Sequence, residues 1–253
     1  MLDINNVTVK FGGLTAVDKM ALTVDKGEIH SLIGPNGAGK TTLFNVITRV
    51  VQPVDGRVAY KDESLLDLQA EQIVFRGIAR TFQNLQLFQM SNIYDNIYSG
   101  WVHNFQHGVL SLATGRHRAF QTAARDKIHE VAEMMQISSY LKFYPAQLSY
   151  GVLKRVEIAR AIISEPELLL LDEPAAGLNM EETDELNTIL LKLKDEGKTI
   201  FLVEHDMNLV MKISDRITVM NFGAKIAEGT PAEISANPEV IKVYLGEDAD
   251  AAS

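Results

Sequence analysis

Gly34-Pro35-Asn36-Gly37-Ala38-Gly39-Lys40-Thr41-Thr42 fits the pattern Gly-x4-Gly-Lys-Ser/Thr at every position, the spacing of a loop that cradles phosphate. Gly34, Gly37 and Gly39 permit backbone conformations that a Cβ obstructs, so successive N–H groups can turn inward toward phosphate oxygens. Lys40 then reaches the outer phosphates as a cation, and the Thr41 hydroxyl is placed to ligate Mg2+. A helix starting near Lys40 adds its positive end. The flanks agree with this reading: residues 28–33 read as a short, largely apolar strand entering the loop, and Leu43, Val46, Ile47 and Val50 recur at helical spacing. Strand, loop and helix in that order define a nucleotide site on an α/β fold.

With 253 residues and 46% hydrophobic content, the chain can bury a large core as one domain or as one domain with subdomains. No signal pattern is read at the N-terminus, and no apolar run approaches the length of a membrane span, so a membrane role is expected to come through partners. The absence of cysteine excludes disulfides and thiolate metal sites. A net charge of −9 argues against nucleic acid as the main partner, because neutralising phosphates needs a basic face. The small cluster Arg116-His117-Arg118 reads as a solvated helix start.

Residues 2–10 and 20–24 alternate loosely between apolar and polar and read as strands exposed on one face. Phe11 follows the first of them. Beside a turn a phenylalanine is commonly a core residue, but ahead of the phosphate loop its ring could stack on a nucleotide base. Residues 56–60 read as another strand, and 65–77 as a polar connection with a helical portion. Gln83, in Arg80-Thr81-Phe82-Gln83-Asn84-Leu85, is neutral and both donates and accepts, so it could touch Mg2+ or an attacking water. Residues 99–121 carry Trp101, His103, His107 and His117 at no metal-ligand spacing and read as a solvated or docking loop. Beyond them Ile128, Val131, Ala132 and Met135 share one face of an amphipathic helix, with Met134-Met135 as core packing.

Leu148-Ser149-Tyr150-Gly151-Val152 precedes a helix carrying Val156, Ala159 and Ile163. Ser149 and the Gly151 N–H sit at its N-terminus, a second place for an anion. Two such ends in one chain suggest that a nucleotide is held between two copies, each contributing a different end. Leu168-Leu169-Leu170-Leu171-Asp172-Glu173 is an apolar run ending in two acids, the pattern of a strand buried on both faces. At such a strand end the acids emerge beside the phosphate loop. Asp172 is assigned to the Mg2+ shell through water, and Glu173 to orienting and deprotonating the attacking water. Ala176-Gly177-Leu178-Asn179 leads into a helix burying Leu186, Ile189, Leu190 and Leu193. Residues 199–203 are one more buried strand, with His205 placed to donate toward the outer phosphate. Residues 217–220 and 225–227 read as closing strands, 238–245 as a short helix, and the acidic stretch after Tyr244 as a mobile tail.

These elements together resemble the ATP-binding subunit of ABC transporters over nearly the whole chain. The resemblance implies a P-loop NTPase (RecA-like) core with an antiparallel β subdomain, and a helical subdomain over about residues 91–163 carrying the signature motif. It implies that ATP is bound by Phe11, by the loop Gly34, Pro35, Asn36, Gly37, Ala38, Gly39, Lys40, Thr41 and Thr42, and by Ser149 and Gly151 of the signature. Mg2+ falls to Thr41, Gln83 and Asp172, and hydrolysis to Glu173, His205, Gln83 and Lys40, with Asn179 in the D-loop. Three positions depart from the general pattern. Tyr150 and Asn179 also occur in the branched-chain amino acid importers, whereas Val152 removes a polar contact to the opposing nucleotide and leaves the strength of ATP-driven closure open.

That branch is also suggested by Arg80-Thr81-Phe82-Gln83-Asn84, by Val203-Glu204-His205-Asp206-Met207 and by the ending near Tyr244-Leu245-Gly246-Glu247. The longer of its two ATPase subunits fits the extended stretch after Ser99. The resemblance implies a peripheral subunit on the cytoplasmic face of the membrane, working with integral-membrane permeases. A second ATPase copy or sister chain would complete it, a solute-binding protein would be an indirect partner, and no nucleic acid is implied. Residues 85–97 would dock a permease helix. A lipid or lipopolysaccharide exporter ATPase would share these motifs. A soluble ABC protein of translation or DNA repair would generally add a second ATP domain or a coiled coil, and a monomeric kinase or GTPase would not need residues 148–151.

Overall fold

The computed structural model describes the backbone of residues 1–101 and 116–250. The loop-like reading of His103 and His107 therefore lies outside the described residues. The chain opens with β1 (Leu2–Phe11) and β2 (Leu14–Val24), which pair antiparallel. β2 begins six residues earlier than the sequence pattern indicates, since bulges around residues 4–10 break the alternation on which that reading rests. With β4 (Asp55–Tyr60) and β5 (Glu63–Ser64) they form a sheet of order β2-β1-β4-β5.

The second sheet has order β10-β9-β3-β8-β7-β6, built from β3 (Ile29–Ile33), β6 (Ile78–Arg80), β7 (Leu168–Asp172), β8 (Thr199–Val203), β9 (Arg216–Asn221) and β10 (Ala224–Gly229). All neighbours are parallel except β10 on β9. Every residue of β3, β7 and β8 is buried, as a parallel sheet covered on both faces requires. Side chains alternate between two cores. Leu168 and Leu170 pack with Phe201, Val203 and the helix α1 (Lys40–Ile47) toward the antiparallel sheet, and Phe44 of α1 meets Phe201 at a ring separation of 5.0 Å. Leu169, Leu171, Ile200 and Leu202 face the opposite core.

That opposite core is covered by α2 (Ile93–Trp101), α3 (Arg116–Met134), α4 (Tyr150–Ile162), α5 (Met180–Asp195) and α6 (Met207–Ile213). α3 starts at Arg116, as the basic cluster suggests, and buries Ile128, Val131 and Ala132, with Met135 just past its end. α7 (Pro231–Ser235) and α8 (Pro238–Asp250) end the described chain. The helix read over residues 238–245 runs on to Asp250 through the acidic stretch, starting at Pro238, a favoured first-turn residue. No sequence pattern marks β6, a strand of three residues, too short to show a period. It decides the site, because β6 lies beside β7 and delivers Arg80 and the following loop to the end of that strand.

Candidate nucleotide site

The carboxyl ends of β3, β6, β7 and β8 converge on one edge of the parallel sheet, where ligands collect in open α/β folds. β3 runs into the loop of residues 34–39, and α1 follows with Gly39 as its N-cap at φ 101°. A Cβ on Gly34 would lie 2.0 Å from the Met220 carbonyl oxygen, and one on Gly39 would lie 2.3 Å from that of Ala16, so neither position tolerates a side chain. No side chain caps α1, whereas Ser149, Asn179, Asp206 and Thr230 cap α4, α5, α6 and α7. The first-turn N–H groups of α1 are left for an anion, which is the fit that a polyphosphate requires. Lys40 is buried and donates from Nζ to the carbonyls of Gly34 at 2.6 Å and Pro35 at 2.8 Å.

A cavity of about 620 Å³ lies over this loop, and its walls bring together Phe11, Asn36, Gly37, Gly39, Lys40, Thr41, Thr42, Gln83 and Glu173. Phe11 is half exposed at the end of β1, so its ring is a wall of the cavity and not a core residue. Gln83 donates from Nε2 to Glu173 Oε2 at 2.7 Å. Glu173 has φ 50°, a left-handed backbone uncommon for a residue with a side chain, and its N–H is fixed on the Val203 carbonyl at 2.9 Å. Strain of this kind persists where the surroundings over-determine it, and it aims the carboxylate at the cavity.

Gly34, Pro35, Ala38, Asp172 and His205 do not line the cavity itself. Asp172 is almost wholly buried, and burial raises its carboxyl above the ordinary aspartate range against the opposing pull of Arg80. Its Oδ2 accepts from Arg80 at 2.9 Å, while Oδ1 is buried without a hydrogen-bond partner. An orphaned carboxylate oxygen beside a phosphate loop fits a water of a hydrated cation. His205 Nδ1 lies 3.9 Å from Glu173 Oε2, close but not hydrogen bonded.

Ser149 and Gly151 do not line this cavity. Ser149 is the exposed N-cap of α4, its hydroxyl accepting from the Val152 N–H at 3.4 Å, and Gly151 packs so closely on the Glu182 carboxylate that a Cβ there would sit 2.3 Å from Oε1. Val152 is turned inward at 6% exposure, so in this structure the residue type at 152 has no surface through which to act on a nucleotide. Asn179 caps α5, accepting from the Glu182 N–H at 3.0 Å while Glu182 accepts from the Asn179 N–H at 3.1 Å.

Four supporting residues escape the motif reading. Arg80 lies between the rings of Phe44 and Phe82 and donates to Asn45 of the loop helix, to its C-cap Thr48 and to Asp172. Lys154 of α4, its pKa lowered by burial, donates to the Gln83 carbonyl at 3.0 Å and to that of Glu173 at 3.5 Å. Glu157, one turn on, is pushed up by burial and steadied by the backbone N–H groups of Phe82 and Gln86. Glu204 is fully buried, its pKa also raised by burial, and it accepts from the N–H groups of Ala175, His205 and Asp206. A charged residue inside or just after an apolar run is the one sequence signal shared by Arg80 and Glu204; the partners themselves are distant in sequence.

A phosphate loop, an aspartate and a glutamate ending the neighbouring strand, a glutamine touching that glutamate, and a histidine at the next strand end define a nucleotide hydrolase of the P-loop class. The ABC transporter family model matches residues 17–176, and the model for the branched-chain amino acid ATP-binding cassette transporter matches 224–250. The chain is 42% identical to the high-affinity branched-chain amino acid transport ATP-binding protein LivG of Escherichia coli over 250 residues, covering 98% of each. It is 41% identical to BraF of Pseudomonas aeruginosa, with the same coverage. Among solved structures, the ADP conformation of an ATP-binding cassette of an ABC transporter superposes with TM-score 0.84 at 29% identity, over 97% of this chain and 98% of that one. The chain belongs to the ABC transporter ATP-binding family.

Proposed function

We propose that this chain is the ATP-hydrolysing subunit of a membrane importer for branched-chain or other hydrophobic amino acids. The observation that carries the reading is the likeness to LivG and BraF along 98% of both chains, together with a cavity that assembles Phe11, the phosphate loop, Gln83 and Glu173. The chain works as one nucleotide-binding domain whose helical part spans about residues 91–163.

In the proposed site the N–H groups of the loop and Lys40 hold the outer phosphates of ATP, and Phe11 stacks on the base. Thr41 and Gln83 would ligate Mg2+ and Asp172 would bind it through water; when bound, the ion neutralises charge on the phosphates. Glu173 orients a water and takes its proton, and His205 donates toward the outer phosphate. Positioning and charge stabilisation supply the rate, as in phosphoryl transfer generally. Ser149 and Gly151 do not line the cavity of their own chain, which supports a second ATPase subunit, identical or a sister chain, as the source of the missing end.

An apolar groove of about 530 Å³ between the sheet and α4 is lined by Val50, Phe82, Phe88, Gly100 and Arg160 among others. We assign to it a cytoplasmic helix of the permease; of residues 85–97 only Phe88 lines the groove, while Leu87, Ile93 and Ile97 are buried. Among the described residues no helix is long and apolar enough to cross a membrane, so attachment as a peripheral subunit at the cytoplasmic face rests on that groove. Mass spectrometry of proteins that co-purify with the tagged chain from gently solubilised membranes tests the reading. Two dissimilar amino-acid permeases with a shorter ATPase are expected; lipid-export permeases would reassign it to an exporter, and no membrane partner would reassign it to a soluble ATPase.

A further inference from the structure

The cavity over the phosphate loop has an apolar lip that phosphate chemistry does not use. Phe11 and Leu14, 50% and 67% exposed, form one part of it, and Phe222, 87% exposed, forms another. Phe222-Gly223 is the two-residue loop joining β9 to β10: Asn221 pairs with Ala224, and φ is 45° at Phe222 and 84° at Gly223. Positive φ at both central positions is the mark of a type I′ hairpin turn, which selects Asn, Asp or Gly at the first of them. A phenylalanine there is a backbone outlier, because a bulky side chain is disfavoured at positive φ. The ring does not compensate by burial. A strained residue presenting an exposed aromatic ring to a cavity points to a ligand contact.

The turn is also tied to the phosphate loop. The Gly223 N–H donates to the Ala38 carbonyl at 3.0 Å, and the Gly223 carbonyl accepts from the Asp18 N–H at 2.8 Å. Gly223 lies against Ala16 and Val17, so close that a Cβ there would be 3.0 Å from the Ala16 carbonyl oxygen. Phe222 is thus held in register with the loop on one side and with the strand that follows Phe11 and Leu14 on the other.

We propose that Phe222 is a second aromatic wall of the base subsite, so that the nucleobase lies between Phe222 and Phe11. The proposal rests on the nucleotide-site reading and deepens it. Because every base has a π-face, the two rings distinguish a nucleotide from a base-free polyphosphate and discriminate little among bases. The test compares the Kd of Mg·ATP and of Mg·tripolyphosphate by calorimetry for the wild type, Phe222→Asn and Phe222→Trp. Asparagine suits the turn, so Phe222→Asn keeps or raises Tm while removing the ring. ATP affinity is expected to fall about tenfold in Phe222→Asn and to persist in Phe222→Trp, with tripolyphosphate affinity equal in all three. An unchanged ATP Kd in Phe222→Asn would overturn the proposal, as would equal weakening of both ligands, which would place the effect on the phosphate loop. A wild-type chain binding neither ligand would remove the underlying site reading itself, whereas tripolyphosphate binding with no effect of Phe222 removes this proposal alone.

Discussion

The N-termini of α1 and α4 are both suited to phosphate, and they are built in opposite ways. At α1 the capping position is a glycine with no side-chain cap, the loop is too crowded for a Cβ at Gly34 or Gly39, and Lys40, Gln83 and Glu173 gather around it. At α4 the cap is present in Ser149, the end is exposed, and the Glu182 carboxylate packs on Gly151. The first end is a receptor that needs the ligand to satisfy its N–H groups. The second is already satisfied within its own chain, so a partner's phosphate must compete with an internal cap and approach an acidic side chain. The difference supports the proposal that nucleotide affinity rests on α1, with α4 meeting a nucleotide only across a dimer.

The sharpest way to break this comparison is Glu173→Gln, which leaves both ends in place and removes the proposed base. Phosphate release should fall by about 10²–10⁴-fold, the contribution of a general base, while ATP still binds and an ATP-bound dimer accumulates on size exclusion. Full-rate turnover would take Glu173 out of the chemistry. Next is Arg80→Met, which strands the buried Asp172 charge beside the α1 end. A loss of about 3 kcal/mol in denaturant unfolding is expected from removing one partner of a buried pair, and an unchanged midpoint would mean that Arg80 does not hold the aspartate.

Lys40→Ala and Ser149→Ala separate the two ends directly. Loss of the Lys40 charge should weaken ATP binding by about 10–100-fold in dilute, monomeric protein, the range of a charge-assisted hydrogen bond. Ser149→Ala should leave that dissociation constant alone and lower hydrolysis only at concentrations where dimers form. Equal effects of the two on monomer binding would show that the ends are not specialised.

The smallest effect concerns the support beneath Ala175 and His205. Glu204→Gln cannot accept from Ala175, His205 and Asp206 together, because its amide nitrogen is a donor; one orphaned N–H costs about 1–3 kcal/mol. Burial raises the Glu204 pKa in the folded state, so the folded chain binds the extra proton and wild-type stability falls as pH rises from the unfolded carboxylate range through that raised value. The deficit of Glu204→Gln should therefore shrink over the same interval, measured as Tm against pH. A deficit that widens would contradict the sign of the shift.

Much of the α1 end is legible in the sequence because its logic is local. Residues 34–42 are contiguous, and the four leucines before Asp172 report a strand buried on both faces. The supporting contacts are not legible, because they cross long separations: Arg80 to Asp172, Lys154 to Gln83, and the Phe222 turn to Ala38. Val152 shows the same limit in reverse. Read from the pattern it is a missing polar contact; in the fold it is core, since the first turn of α4 points that position inward.

The sequence by itself therefore determined the chemistry that short-range covalent spacing controls: a phosphate loop, two acids at a strand end, and helices with their apolar faces. Tertiary structure alone decided which strand lies next to which. Pairing β6 with β7, and seating the β9–β10 turn against the phosphate loop, depends on burial of whole strand faces and on hydrogen bonds between residues far apart in the chain, and no local period encodes that.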